Sequence, residues 1–465
     1  MNTVRLEYSG GTILVKADGP VSLPYVKWDR RVGAYRIPGY LYRDLVRFLR
    51  AWGIPFEDSV FSPPPREGVH GSVSLYPFQC EALDSWLKAG CRGIIAIAAA
   101  GGKTFIGLKA IELLGEPTLI LVPTLVLMDH WIEKVRSLLG VEAGAYGGSS
   151  REVKWITVST YDSAYINAER LGNKFRLLIA DEAHHIFAPS YSQIAEVMAA
   201  PFRMGLTCTP FRSDMRHLEA PRLIGDVIYE ATHDDLAGKY VSSYVHKKIY
   251  VSLRPEEEAE YERHWSAYRR YLEEMGLDGL EGLREVVRRS TRDPEAREAL
   301  LSRVKALRIA FNSEAKMRVL SELLRESDEK TIIFTLHNSL AYEISRRFLI
   351  PAITHQTPDE ERRLILSKFR SGEYKVIVTS QVLNEGVDVP DASRGIILSG
   401  TGSHREYVQR LGRLLRKSAG DKVARLIEVV SRETSEVYFS RRRRRRPALS
   451  APPGDRHASE GFPQG

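Results

Sequence analysis

Three short stretches hold residue types whose spacing suits phosphate chemistry. Gly101-Gly102-Lys103-Thr104 stands between an apolar, strand-like run (Gly93 to Ile97) and a helical run (Thr104 to Leu114). At such a turn backbone N–H groups converge on an anion, the lysine reaches its outer phosphates and the hydroxyl can bind Mg²⁺. Taken alone, Gly-Lys-Thr is as easily a chance junction. Further on, the apolar run from Leu177 ends in Asp181-Glu182-Ala183-His184. Asp181 at a strand tip can hold Mg²⁺, and Glu182 can orient and deprotonate an attacking water. A solvated acidic turn is the plain alternative, and the position after a phosphate-type loop in the same pattern weighs against it. In QRLGRLLR, Gln409, Arg410, Arg413 and Arg416 recur at i, i+1, i+4 and i+7, three of them on one helix face that can present guanidinium groups to a phosphate, with a solvated basic helix as the plain alternative.

Residues so far apart meet only on a scaffold. Between Ser74 and residue 235 the runs RGIIAIA, TLILVP, WITVST, RLLIAD and FRMGLT alternate with helical stretches, a rhythm that predicts a parallel sheet covered by helices. The rhythm returns in KTIIFT, YKVIVTS and RGIILSG, so 236–440 is expected to form a second α/β domain. Within it, about 255–305 is charged, helical and strand-free, and reads as an insertion. Residues 1–61 read as a small α+β domain with a hairpin at Gly10-Gly11 and a helix, YRDLVRFLRAWG, closed by Gly53. SPPPREGVHGS marks 62–73 as a linker, and the Arg-, Pro- and Gly-rich 441–465 reads as a disordered basic tail. The expected class is α/β, with two parallel-sheet domains in tandem.

The chain has 465 residues and a net charge of +8, enough length for several cores and a balance that admits an anionic partner. Six of the positive charges are Arg441 to Arg446, and the remainder carries only +2. Basic composition therefore supports a nucleic-acid partner weakly. Three scattered cysteines (Cys80, Cys91, Cys208) argue against a zinc site or a disulfide framework. No apolar run reaches about 18 residues, and the first residues have no signal-peptide pattern, so no membrane partner and a cytoplasmic location are expected.

The motifs together resemble superfamily 2 helicases and translocases of the DEAH-lettered group. Tyr76-Pro77-Phe78-Gln79 resembles their adenine-reading glutamine motif. LVPTLVLMDHW resembles motif Ia, VSTYDS a further strand-contacting motif and GLTCTP motif III, while TIIFTLHN, SQVLNEGVDVP and QRLGRLLR resemble motifs IV, V and VI. The resemblance implies two RecA-like domains sharing one ATP·Mg²⁺ site. Lys103, Asp181, Glu182, His184, Gln409, Arg413 and Arg416 would act in catalysis. Gln79, Ala100, Gly101, Gly102, Lys103, Thr104, Gly386 and Asp388 would hold nucleotide, with Thr104 and Asp181 on the metal. Thr124, Thr160, Arg212, Asp214 and Ser380 would contact DNA. Ala100 replaces a glycine usual in the loop. Alanine keeps its N–H, so the loop stays competent provided that residue is not at positive φ.

Narrower features resemble the xeroderma pigmentosum group B (XPB) helicases, especially short archaeal forms. Arg212-Ser213-Asp214 resembles their Arg-Glu-Asp element with a serine at its centre, the 255–305 stretch falls where they insert a DNA-gripping thumb, and VKWDRRVGAYRIPGYLYRDL resembles their damage-recognition domain. The resemblance implies 3′ to 5′ polarity, a role in repair or transcription and, in archaea, a nuclease partner; a duplex translocase or branch-migration motor without strand separation and a non-hydrolysing DNA-binding scaffold are the alternatives. In the N-terminal unit, Tyr25, Trp28, Tyr35, Tyr40 and Tyr42 interleave with Lys27, Arg30, Arg31, Arg36 and Arg43. They either stack on bases beside phosphate-binding cations or form a small core under a solvated surface.

Overall fold

The computed structural model describes residues 4–17, 23–209, 216–240, 244–380, 392–400 and 423–444. Strands β1 (Val4–Ser9) and β2 (Thr12–Ala17) form the expected hairpin, and β3 (Lys27–Asp29), β4 (Ala34–Pro38) and β5 (Phe56–Ser59) extend it into a sheet ordered β3-β4-β2-β1-β5. Helix Tyr42–Ala51 buries Tyr42, Leu45, Val46 and Leu49 on that sheet, the i, i+3, i+4, i+7 stripe of an amphipathic helix. The aromatic series divides here. Tyr42 belongs to the core and Tyr35 packs against it, whereas Tyr25 and Trp28 are exposed. The unit is tied to the next sheet by the Tyr8 hydroxyl, which donates to Val197 O (3.1 Å).

The second sheet contains β6 (Arg92–Ile97), β7 (Thr118–Val122), β8 (Gly144–Gly147), β9 (Ser150–Arg151), β10 (Ile156–Thr160), β11 (Leu177–Asp181), β12 (Phe202–Thr207) and β13 (Val227–Ala231). Its order is β13-β6-β12-β11-β7-β10-β8-β9, parallel except for the β8–β9 pair. β7, β10 and β11 are buried along their whole length, as continuous apolar runs in a parallel sheet must be. β6 lies beside β12 rather than β7, so the connections leave it in different directions. A crevice forms at the carboxyl ends of strands at such a reversal of order.

The third sheet takes β14 (Tyr244–Val251), β15 (Thr331–Phe334), β16 (Ala352–Ile353), β17 (Val376–Thr379), β18 (Arg394–Ile397) and β19 (Ala424–Ser431) in the order β14-β19-β18-β15-β17-β16, parallel throughout. Between β14 and β15 the chain makes three helices, Pro255–Glu274, Gly279–Arg289 and Pro294–Phe311, before the sheet's own helix Glu314–Arg325. Tyr268, Tyr271, Val286, Ala296 and Ala299 give them a small core of their own. No described helix is long and apolar enough to cross a membrane.

Candidate functional site

The parallel register places the ends of β6, β12, β11, β7 and β10 on one edge of the second sheet. Ala96 pairs with Thr207, and Leu206 with Asp181. The phosphate-type loop and Asp181 are therefore two strand spacings apart, about 9.5 Å.

Gly102 is the N-cap of helix Lys103–Leu114 at φ 72°, ψ 36°. That left-handed conformation suits glycine, and a methyl there would lie 2.6 Å from Gln79 Nε2. Ala100 occupies the same region at φ 66°. The condition set by the sequence for an untroubled alanine is not met: the loop keeps its shape at a cost of about 1–2 kcal/mol, because Cβ crowds the following carbonyl. The loop also closes on itself. Gly101 N–H donates to Ala98 O (3.1 Å) and Lys103 Nζ to Ile97 O (3.4 Å).

Gln79 lies in the first turn of helix Pro77–Lys88 and is buried. Its Nε2 donates to Gly101 O (3.0 Å) and Gly102 O (3.4 Å), while its Oε1 accepts from Tyr76 N–H (2.9 Å). The amide thus braces the loop. Beside it, Tyr76 is exposed and joins Phe78 and Tyr240 in an aromatic cluster with centroid separations of 4.7 to 6.3 Å. Tyr240, beyond the second sheet's last strand, carries no motif signal in the sequence.

Asp181 ends β11 and is nearly inaccessible. Its Oδ1 accepts from Glu182 N–H (3.0 Å), its Oδ2 accepts from Trp131 Nε1–H (2.9 Å), and the Tyr161 hydroxyl donates to its main-chain oxygen (2.8 Å). Burial pushes the Asp181 carboxyl above the usual carboxylate range, opposed by the Trp131 hydrogen bond, the nearby Lys103 charge and the Glu182 N–H. A cation relieves that burial, and the hard oxygen donors of Asp181 and Thr104 fit Mg²⁺. Glu182 adopts φ 48°, ψ 55°, so the chain turns sharply out of the strand. Its Oε2 is 3.5 Å from Nδ1 of the fully enclosed His184. Thr207 Oγ1 accepts from Thr209 N–H (3.1 Å), turning the chain at the tip of β12, between Asp181 and the loop.

Two of the expected DNA-contact residues, Thr124 and Thr160, fall on the same edge of the second sheet, and Ser380 lies at the end of a strand of the third. Thr124 caps helix Leu125–Lys134 and Thr160 caps helix Tyr161–Ile166, each side-chain oxygen accepting from an N–H three residues on. Ser380 follows β17 and is buried, its N–H donating to Ile353 O (3.3 Å). Arg212, Asp214, Gly386, Asp388, Gln409, Arg413 and Arg416 lie outside the described residues, as does 445–465 of the expected 441–465 tail; the start of that stretch is not disordered, Arg441 to Arg444 continuing helix Ser435–Arg444.

Family models match in the same order as the three sheets. The xeroderma pigmentosum group B helicase damage recognition domain matches residues 6–60, the type III restriction enzyme res subunit 72–212, and the helicase conserved C-terminal domain 315–418. The chain is 43% identical to the DNA 3′-5′ translocase XPB2 of Sulfurisphaera tokodaii over 95% of its own length and all of that protein's. It is 28% identical to the DNA 3′-5′ helicase XPB of Kineococcus radiotolerans over 80% of its length and 62% of the relative's. The crystal structure of the Pyrococcus furiosus Hef helicase domain shares the fold, with a TM-score of 0.53 and 19% identity over 79% of this chain and 98% of that one. The chain therefore belongs to the XPB-type DNA helicases and translocases of superfamily 2.

Proposed function

We propose that this protein hydrolyses ATP with Mg²⁺ to move 3′ to 5′ along DNA and part its strands, in DNA repair or transcription-linked DNA opening. The buried Asp181, two strand spacings from the Lys103 loop on one sheet edge, with that loop braced by Gln79, carries the reading. In it, loop N–H groups from Ala100 to Thr104 hold the ATP phosphates, and Lys103 exchanges the Ile97 carbonyl for an outer phosphate oxygen. Mg²⁺, held by Thr104 and Asp181, would neutralise charge on the transferring phosphoryl group. Glu182 orients the attacking water and takes its proton, with His184 steadying its carboxylate. Gly386 and Asp388 line the nucleotide from the second motor domain. Gln409, Arg413 and Arg416 reach the terminal phosphate from the same side, a contribution worth about 10³- to 10⁵-fold in rate.

Arg212 and Asp214 would act in strand opening; Thr124, Thr160 and Ser380 meet DNA from the sheet edges, the threonines through their hydroxyls. Such contacts meet phosphate rather than bases, so binding is sequence-tolerant and weakens with salt. The helical insertion grips the duplex, and a nuclease is the partner that fits a repair role. The Sulfurisphaera relative's designation as a translocase favours a second reading, movement on duplex without strand separation.

ATPase rates with single-stranded, duplex and forked DNA test the motor. Displacement of an annealed oligonucleotide, run beside displacement of a triplex strand, separates the two readings. An ATPase rate indifferent to every DNA sinks both.

A further inference from the structure

Trp131 belongs to none of the roles above, yet it touches three functional elements. It lies within helix Leu125–Lys134, whose N-cap is Thr124, and is buried. Its Nε1–H donates to Asp181 Oδ2 at 2.9 Å, across 50 residues of sequence. The far edge of the ring rests on the phosphate-loop helix at Gly107, where a methyl group would come within 2.8 Å of Trp131 Cη2. Glycine at 107 leaves the space that the indole fills.

A phenyl ring would supply most of that packing. What indole adds is one N–H, and it is spent on the carboxylate. With Glu182 N–H on Oδ1 and Trp131 on Oδ2, rotation of the Asp181 carboxylate is fixed, and each oxygen keeps a lone pair for a cation. The other end of the Trp131 helix carries Thr124 and the exposed Leu125 and Val126. A helix of ten residues is about 15 Å long and moves as one body. Close-packed interiors pass such displacements on.

We propose that Trp131 is a positioning residue that fixes the Asp181 carboxylate for Mg²⁺ and carries DNA engagement at the Thr124 end of its helix to that carboxylate. The inference rests on the motor reading and names the side chain through which DNA speeds hydrolysis.

Trp131→Phe in the full chain tests it. Binding of a fluorescent ATP analogue is titrated against Mg²⁺, and the ratio of DNA-stimulated to basal hydrolysis is measured. The Mg²⁺ concentration for half-maximal binding should rise about 10-fold or more, the usual range for losing an outer-shell hydrogen bond, and the stimulation ratio should fall. A folded Trp131→Phe protein with unchanged Mg²⁺ dependence overturns the proposal. The wild-type chain offers a second route that needs no folded Phe variant. Among the indole N–H signals of its six tryptophans, the one displaced by Gly107→Ala identifies Trp131. It should move when DNA is added without nucleotide; a stationary signal overturns the coupling. Hydrolysis that survives Lys103→Ala sinks the motor reading itself. Loss of hydrolysis in Lys103→Ala beside an unaffected Trp131→Phe sinks this inference alone.

Discussion

Lys103 beside the second sheet and Lys316 beside the third each neighbour a buried carboxylate, and the two are handled in opposite ways. Lys316, on the third sheet's helix Glu314–Arg325, is fully enclosed. Its Nζ donates to Leu398 O (2.6 Å) and to both oxygens of the equally buried Glu436 (2.6 and 2.7 Å), and Ser431 N–H donates to the same carboxylate (2.9 Å). Lys103 is half-buried, makes among the described residues one long hydrogen bond, to Ile97 O, and acts on Asp181 through space. A cation with saturated donors fastens helix Glu314–Arg325 to helix Ser435–Arg444 and to the end of β18, and cannot be lent elsewhere. A cation left under-coordinated beside a strained loop can take up a phosphate without breaking the fold.

Removing each lysine should therefore separate rate from stability. Lys103→Ala is expected to lower ATP hydrolysis by about 10²- to 10³-fold or more, the scale for deleting a charge-stabilising group, with an unchanged urea-unfolding profile. Lys316→Ala should do the reverse, costing about 3–5 kcal/mol because Glu436 is left buried without its counter-charge. Lys316→Met combined with Glu436→Leu should recover most of that loss, since the desolvated charge goes with its partner. Similar stability losses for Lys103→Ala and Lys316→Ala would erase the distinction.

The contrast was half visible in the sequence. Lys103 and Asp181 stand in motifs because their chemistry demands fixed neighbours, and the apolar runs before them mark strands of a parallel sheet. All five runs noted between residues 74 and 235 became strands of one sheet. Lys316 and Glu436 are 120 residues apart, on helices Glu314–Arg325 and Ser435–Arg444, and nothing local marks them as partners. The same holds for Trp131 and Asp181, and for β14, which pairs with β19 at the edge of the third sheet. Arg203 is the extreme case. It occupies a β12 position that reads as surface, yet it is buried with its guanidinium donating to the carbonyls of Ala195, Met198, Ala200 and Leu223. Periodicity reports which face is apolar. It does not report which charge has been given enough acceptors to be buried.

A smaller effect is expected at the loop itself. Ala100→Gly removes the crowding at φ 66° and should stabilise the native loop by about 1 kcal/mol, partly offset by the greater freedom of glycine in the unfolded chain. Urea unfolding of the nucleotide-free protein reads the difference. A destabilised glycine variant would mean that the Ala100 methyl makes packing contacts outweighing its backbone strain. The under-coordination of Lys103 would then not rest on a strained loop.

The weakest expected effect comes from a carboxylate–cation pair at the surface. Arg31 and then Arg36 hold the Asp29 carboxyl down at about 2, through hydrogen bonds to both of its oxygens. Because the folded value lies below the unfolded one of about 3.9, the pair contributes fully above that value. Its contribution fades as pH falls from about 4 through about 2, when protonation abolishes the charge. Asp29→Asn should remove this part of the acid sensitivity of the N-terminal sheet, measured by hydrogen exchange at β3 and β4, and leave ATP hydrolysis untouched. Solvent screening keeps surface pairs small even when their geometry is good. An acid profile identical in wild type and Asn variant would mean that water already does the work of the two arginines, whereas at Lys316 no water is available to do so.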